Sequence, residues 1–165
     1  MSSSWDKYLN GYLLNKQLPD KKWLQNIVEH AAIVSHAGVI YSSTKGFTLG
    51  TYEIEVETEK GGKKKEMIDE KAILAQIVLK GTPIGLASGV RINNEKHMLV
   101  RYDPGKMLAY FAKRDGGACA MATKTTIIYA SYDKNKTLSD GNTQNPGVCN
   151  EVVEKLGDIL YKSGA

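Results

Sequence analysis

Cysteine is scarce in this chain: its 165 residues hold two, Cys119 and Cys149. Two are too few for the disulfide framework of a small secreted domain, so free buried thiols in a reducing compartment are expected. No apolar run approaches the roughly 18 residues of a membrane span. The opening Met1-Ser2-Ser3-Ser4-Trp5-Asp6 has neither a basic nor an apolar region, so no secretory signal is expected. Together these features point to the cytosol. Charge of one sign is not concentrated either. The net charge is +4, and apart from Lys63-Lys64-Lys65 the lysines and arginines are scattered. Nucleic-acid binders carry a denser basic stripe, so nucleic acid is not an expected partner. The mild positive balance favours an acidic protein surface or anionic lipid heads.

Signatures of the common chemistries are missing as well. There is no G-x-x-x-x-G-K-[ST] phosphate loop, no G-x-G-x-x-G fingerprint and no G-x-S-x-G elbow. His30, His36 and His97 do not fall in H-E-x-x-H spacing, and with two cysteines they make no convincing zinc set. Cys149 with a histidine could form a nucleophile and base, but a buried helix thiol is the simpler reading. No cofactor, metal or catalytic residue is assigned, and no enzyme is expected.

What is present reads as one folded domain. Hydrophobic residues make up 42% and charged residues 24%, an ordinary globular balance over a length that suits one core. Residues 4–14 carry Trp5, Tyr8, Leu9, Tyr12 and Leu13 at helical spacing behind a Ser4 cap. Residues 15–22 are turn-like, and 23–29 lean towards a short helix. Residues 31–35 and 39–41 read as a hairpin around Gly38. The stretch 52–58 alternates strictly, then meets Gly61-Gly62 and the lysine run. That predicts an exposed hairpin with one acidic and one basic strand. A two-residue turn at the glycines would set Glu57 opposite Glu66, a like-charge pair. Residues 69–80 predict a helix stopped by Gly81. Short strands follow between 90 and 130, then a polar loop over 133–144. Asn145 caps a last helix, with Pro146 in its first turn and Val148, Val152, Leu156, Ile159 and Leu160 on one face. The fold class is α+β: a central antiparallel β-sheet with helices near both ends, in a single domain over residues 1–165.

Trp5 and Tyr8 stand one turn apart on a terminal helix with more apolar width than one buried face requires. An aromatic-lined groove is how proteins grip polyproline II, whose stiffness makes it cheap to order. At this point the chain resembles the profilins. Ser4-Trp5-Asp6-Lys7-Tyr8-Leu9 is similar to their opening, and Ala31–Ser35 with Gly38–Tyr41 to their first hairpin. Gly85–Val90 with Lys96–Arg101 resembles the central strands, Gly116–Ala118 with Thr123–Ile128 the late ones, and Val153–Leu160 the last helix. The ordered set covers nearly the whole chain. The charged hairpin, approximately 51–67, resembles the insertion of the long profilins of alveolate protists such as apicomplexans and ciliates.

The resemblance implies terminal helices side by side on one face of the sheet, and a protein that binds actin monomers and proline-rich partners such as formins. It implies a polyproline groove at Trp5, Tyr8, Tyr41, Ile159 and Leu160. Tyr41 stands where the family often has Trp, and Ile159 replaces a polar or aromatic residue, so binding weaker than in a typical member is expected. The implied actin face is Leu86, Lys96, Leu99, Arg101 and Lys113 on the strands, with Gly147, Asn150, Glu151 and Glu154 on the helix. Glu151 and Glu154 depart from the basic and aromatic residues common there. A second reading makes the protein a module for anionic phosphoinositide heads through Lys63, Lys64 and Lys65.

Overall fold

The computed structural model describes residues 4–83 and 89–165. Helix α1 (Ser4–Tyr8) runs straight into a π-helix (Leu9–Leu14). Leu9 and Leu13 point into the core, while Trp5, Tyr8 and Tyr12 stay half-buried at its margin. Gly11, a poor helix former, lies within the widened turns.

Strand β1 (Asn15–Gln17) then pairs antiparallel with β2 (Trp23–Gln25). This corrects the short helix expected over 23–29. Exposed Trp23 and Gln25 flank buried Leu24, a period of two, and Asn26 at φ 57° takes the left-handed region, where a helix cannot continue.

The main sheet has seven antiparallel strands in the order β4-β3-β11-β10-β9-β8-β7. They are β3 (His30–Ser35), β4 (Ile40–Ser43), β7 (Val90–Ile92), β8 (Glu95–Asp103), β9 (Leu108–Lys113), β10 (Gly116–Ala122) and β11 (Thr126–Asp133). Side chains alternate between two cores. One face carries Ile33, Leu108, Cys119, Met121, Ile128 and Ala130, covered by Leu9 and Leu13 and by α3 (Pro146–Lys162). The other carries Val34, Ala109, Phe111, Ala120, Ile127 and Tyr129, covered by α2 (Glu70–Lys80). The terminal helices therefore share one face, as the resemblance implies.

Both longer helices are capped as their sequences suggest. The Asn145 side chain accepts from Val148 N at 3.0 Å with Pro146 beside it, and Asp69 accepts from Ala72 N at 3.3 Å. Gly81 ends α2 at φ 76°, and a Cβ there would lie 2.6 Å from the Tyr102 ring. Only glycine meets both demands. On α3, Val152, Val153, Leu156 and Leu160 are buried. Each contributes about 1.5–3 kcal/mol by leaving water.

The inserted hairpin is present as β5 (Thr51–Glu57) and β6 (Lys63–Asp69), a separate two-stranded sheet. Its register differs from the two-residue turn. Glu57 pairs with Lys63 and Glu55 with Lys65, while Glu66 pairs with Ile54. Thr58 closes a longer loop by donating its N–H to Gly62 O at 2.7 Å, and Gly61 N donates back to Thr58 O. The longer loop replaces a like-charge contact with opposite charges. Among the described residues, no helix is long and apolar enough to cross a membrane.

Candidate functional site

Four aromatic rings form a continuous row at one edge of the molecule. Trp5 stacks on Tyr41 of β4 with centroids 5.1 Å apart and planes 10° off parallel. Tyr8 follows at 5.8 Å from Trp5, and Tyr12 at 6.0 Å from Tyr8. Helical spacing puts Trp5, Tyr8 and Tyr12 on one stripe. Strand β4 supplies Tyr41, and the Ser42 hydroxyl donates to the Asp6 carboxylate, tying β4 to α1. Beyond Tyr12 the row opens into a groove of about 320 Å³ between the π-helix, the β1–β2 ribbon and α3. Trp23, Glu151, Lys155 and Ile159 line it.

The candidate proline site is thereby redrawn. Trp5, Tyr8 and Tyr41 come together, and half-buried Ile159 borders the adjoining groove. Leu160 does not join them: it is 1% exposed and belongs to the core beneath α3. Successive residues of a helix point about 100° apart, and on α3 this step sends Leu160 into the core while Ile159 stays at the groove. Sequence reasoning missed Tyr12, the fourth ring of the row, and Trp23, which lines the adjoining groove. Tyr12 already lay on the helical stripe, but Trp23 reaches the groove only because β2 pairs with β1.

A second surface forms where β8 and β9 meet the start of α3. Met98 and Val100 are 69% and 65% exposed there. Leu99, placed on this face by the resemblance, instead turns to the other core, opposite Phe111. The register shifts between Leu99 and Arg101, which returns Arg101 to a position opposite Tyr110. The Arg101 guanidinium lies 5.5 Å from the Tyr110 ring centroid. Tyr110 donates its hydroxyl to Glu154 at 3.0 Å, and Lys106 donates to the same carboxylate at 3.2 Å. Burial, reinforced by Glu154, pushes the Tyr110 hydroxyl up to about 12, and the Glu154 carboxylate as acceptor fixes it as a donor. Val100, Tyr110, Tyr132, Pro146 and Asn150 enclose a hollow of about 210 Å³. Gly147 is exposed in the first turn of α3. Exposed Lys96 lies further along β8, bordering a hollow with Met98.

Three other residues of the implied actin face are placed differently. Leu86 lies outside the described residues. Lys113 is spent within the fold: its side chain is 4% exposed and pairs with Glu29 and Glu95, each at 3.0 Å. Glu151 bonds to Lys16 at 2.7 Å and lines the aromatic groove instead. Asn150 and Glu154, four apart, share one row of α3; Glu151, Lys155 and Ile159 form the next.

On β8, His97 turns inward and is buried. Its Nδ1–H donates to Glu95 O at 2.9 Å, which leaves Nε2 to accept from the Tyr129 hydroxyl at 2.8 Å. Burial lowers its pKa to about 4. Both thiols are buried; burial pushes Cys149 up to about 12 and Cys119 well above its usual value. Neither supplies a thiolate at neutral pH. Among the described residues, no group of three or more His, Cys, Asp or Glu side chains could hold a metal ion. On the hairpin, Lys63 and Lys65 stand across from Glu57 and Glu55, while Lys64 alternates to the other face opposite Val56. The lysine run is therefore divided between two faces.

The family model described as Profilin matches residues 3–165. A profilin of Tetrahymena pyriformis is 32% identical, over 98% of this chain and 99% of its own length. Among solved structures, Schizosaccharomyces pombe profilin aligns over 98% of this chain and 100% of its own, with 23% identity and a TM-score of 0.63. Mouse profilin IIa, solved with a double repeat from the FH1 domain of mDia1, aligns over 99% and 100%, with 13% identity and a TM-score of 0.59. The profilin of the LokiProfilin2/rabbit actin complex aligns over 98% of both chains, with 11% identity and a TM-score of 0.57. At these identities the structures speak for the fold. With the family model spanning nearly every residue and a ciliate relative matched end to end, this chain belongs to the profilin family.

Proposed function

We propose that this protein is a two-sided, non-enzymatic adaptor that binds actin monomers on the β8–β9–α3 surface and proline-rich peptides along the aromatic row. The observation that carries the reading is the separation of two chemically distinct surfaces. One is a row of four rings suited to the faces of a polyproline II helix. The other is an exposed apolar strand pair, Met98 and Val100, beside Arg101 and the Tyr110–Glu154 bond. Complexes of other family members with rabbit actin and with an FH1 repeat are in keeping with two partners. The protein then works in the cytoplasm, on the actin cytoskeleton, with proline-rich proteins such as formins as its second partner.

On the actin side, Met98 and Val100 supply apolar area, and Arg101 supplies a cation that raises the association rate with an acidic surface. Asn150 and Gly147 frame the edge. Glu154 holds Tyr110 and Lys106 in place rather than facing the partner as a free charge. Lipid binding through Lys63, Lys64 and Lys65 gains little support, because two of the three lysines stand opposite glutamates. The deciding experiment measures assembly of purified actin monomers together with a direct affinity titration. Saturable micromolar binding with slower spontaneous assembly supports the adaptor; no binding to actin, including actin from the same source, rejects it.

A further inference from the structure

We propose that the groove around Trp23 is a second subsite of the proline-rich site. It takes the part of the same peptide that runs past the aromatic row, and it favours acidic residues there. This rests on the reading of the row as a proline site.

Continuity of the two surfaces is the first argument. Tyr12 is both the last ring of the row, 6.0 Å from Tyr8, and a wall of the groove. A peptide running past Tyr12 meets the wall of the groove directly. Four rings spaced 5.1 to 6.0 Å apart are covered by about six residues of polyproline II at ~3.1 Å each. A longer peptide that continues past Tyr12 has the groove next to it. Second, Trp23 itself is free to take a ligand. It is 48% exposed while its neighbour Leu24 fills the core, so it does not serve to hold β2 in place. An indole offers a flat face for a proline ring and an N–H for a carbonyl. Polyproline II leaves its carbonyls without internal partners. Charge is the third argument. The groove holds Lys16, Glu151 and Lys155; Lys16 and Glu151 neutralise each other at 2.7 Å. Among the described residues no ion pair engages Lys155, so the groove keeps a net positive charge. An acidic residue beside the proline tract is the complementary ligand.

The test uses the full chain and three kinds of synthetic peptide. One is an oligoproline just long enough for the row, one is twice that length, and one is the long form with glutamates at either end. Wild type should bind the long form more tightly than the short one, and the acidic form most tightly. Trp23→Ala should leave the short peptide unchanged and weaken the long one about tenfold, the scale of a single aromatic anchor. Lys155→Glu, on an exposed helix face, should abolish the gain from the glutamates without touching the short peptide. Equal loss on both lengths with Trp23→Ala, or no loss on either, overturns the subsite; so does an undiminished glutamate gain in Lys155→Glu. If wild type fails to bind the short peptide at all, the aromatic-row reading itself falls, and the subsite falls with it.

Discussion

The buried carboxylate of Glu70 accepts the Tyr52 hydroxyl hydrogen at 2.6 Å. The same side chain accepts from Gly50 N at 3.0 Å and Asn94 N at 2.8 Å, while Arg91 Nε donates to the Tyr52 oxygen at 2.9 Å. One residue in the first turn of α2 thus ties the base of the inserted hairpin to the β7–β8 turn. A buried carboxylate is tolerated only when its lone pairs are met by donors, as they are here.

Removing either partner is therefore expected to destabilise the whole domain. Tyr52→Phe should cost about 1–2 kcal/mol, and Glu70→Ala roughly 2–4 kcal/mol because two backbone N–H groups lose their acceptor. Urea denaturation checks both. A Glu70→Ala protein as stable as wild type would mean that the hairpin base is held by other contacts.

The two binding surfaces should separate by mutation. Trp5→Ala is expected to weaken proline-peptide binding by about 2 kcal/mol and leave actin affinity unchanged. Arg101→Glu should do the reverse, with most of its effect on the association rate and a strong dependence on salt. Parallel titrations with oligoproline and actin read both. Loss of both activities in either variant would contradict two independent sites.

Stability should fall with acid through His97. Its folded pKa of about 4 lies below the ordinary histidine value of 6.5, so between these pH values the unfolded chain binds a proton that the folded one does not. Stability therefore rises with pH in this window, and the contribution is lost as pH drops from 6.5 towards 4. The full effect is on the order of 3 kcal/mol. Denaturation midpoints of wild type and His97→Gln across this range test it; the variant should show the shallower slope.

Cys119 and Cys149 should resist a thiol reagent at pH ~8, near the ordinary cysteine pKa, because burial keeps both protonated. Labelling is expected only after denaturant unfolds the domain, and then at both positions. Rapid labelling of native Cys149 would reopen the case for a reactive thiol.

Much of the local architecture is legible in the amino-acid order. The caps at Asp69 and Asn145, the stop at Gly81 and the stripe of Trp5, Tyr8 and Tyr12 are short-range patterns whose physics is contained within one or two turns. The alternation in 52–58 announces the hairpin for the same reason, and its strand forms over Thr51–Glu57. Where a site residue departs from expectation, a distant partner or a slip in register is responsible. Leu99 faces inward and Met98 outward because of the way β8 pairs with β9, and the register slip beyond Leu99 aims Arg101 at Tyr110. Lys113 reads as a surface cation until Glu29, far away in sequence, meets it across the fold.

The α+β class, helix ends and aromatic stripe follow from residue order alone, because periodicity and capping act between residues close along the chain; the family is legible only through the resemblance of ordered segments. Strand partners and their register do not, since they depend on contacts between distant segments that form only as the chain packs. Those contacts set Glu57 against Lys63 and turned Trp23 from an expected helix into the wall of a groove. They also gave Glu151 to the aromatic side of α3 while leaving Asn150 and Glu154 on the strand side.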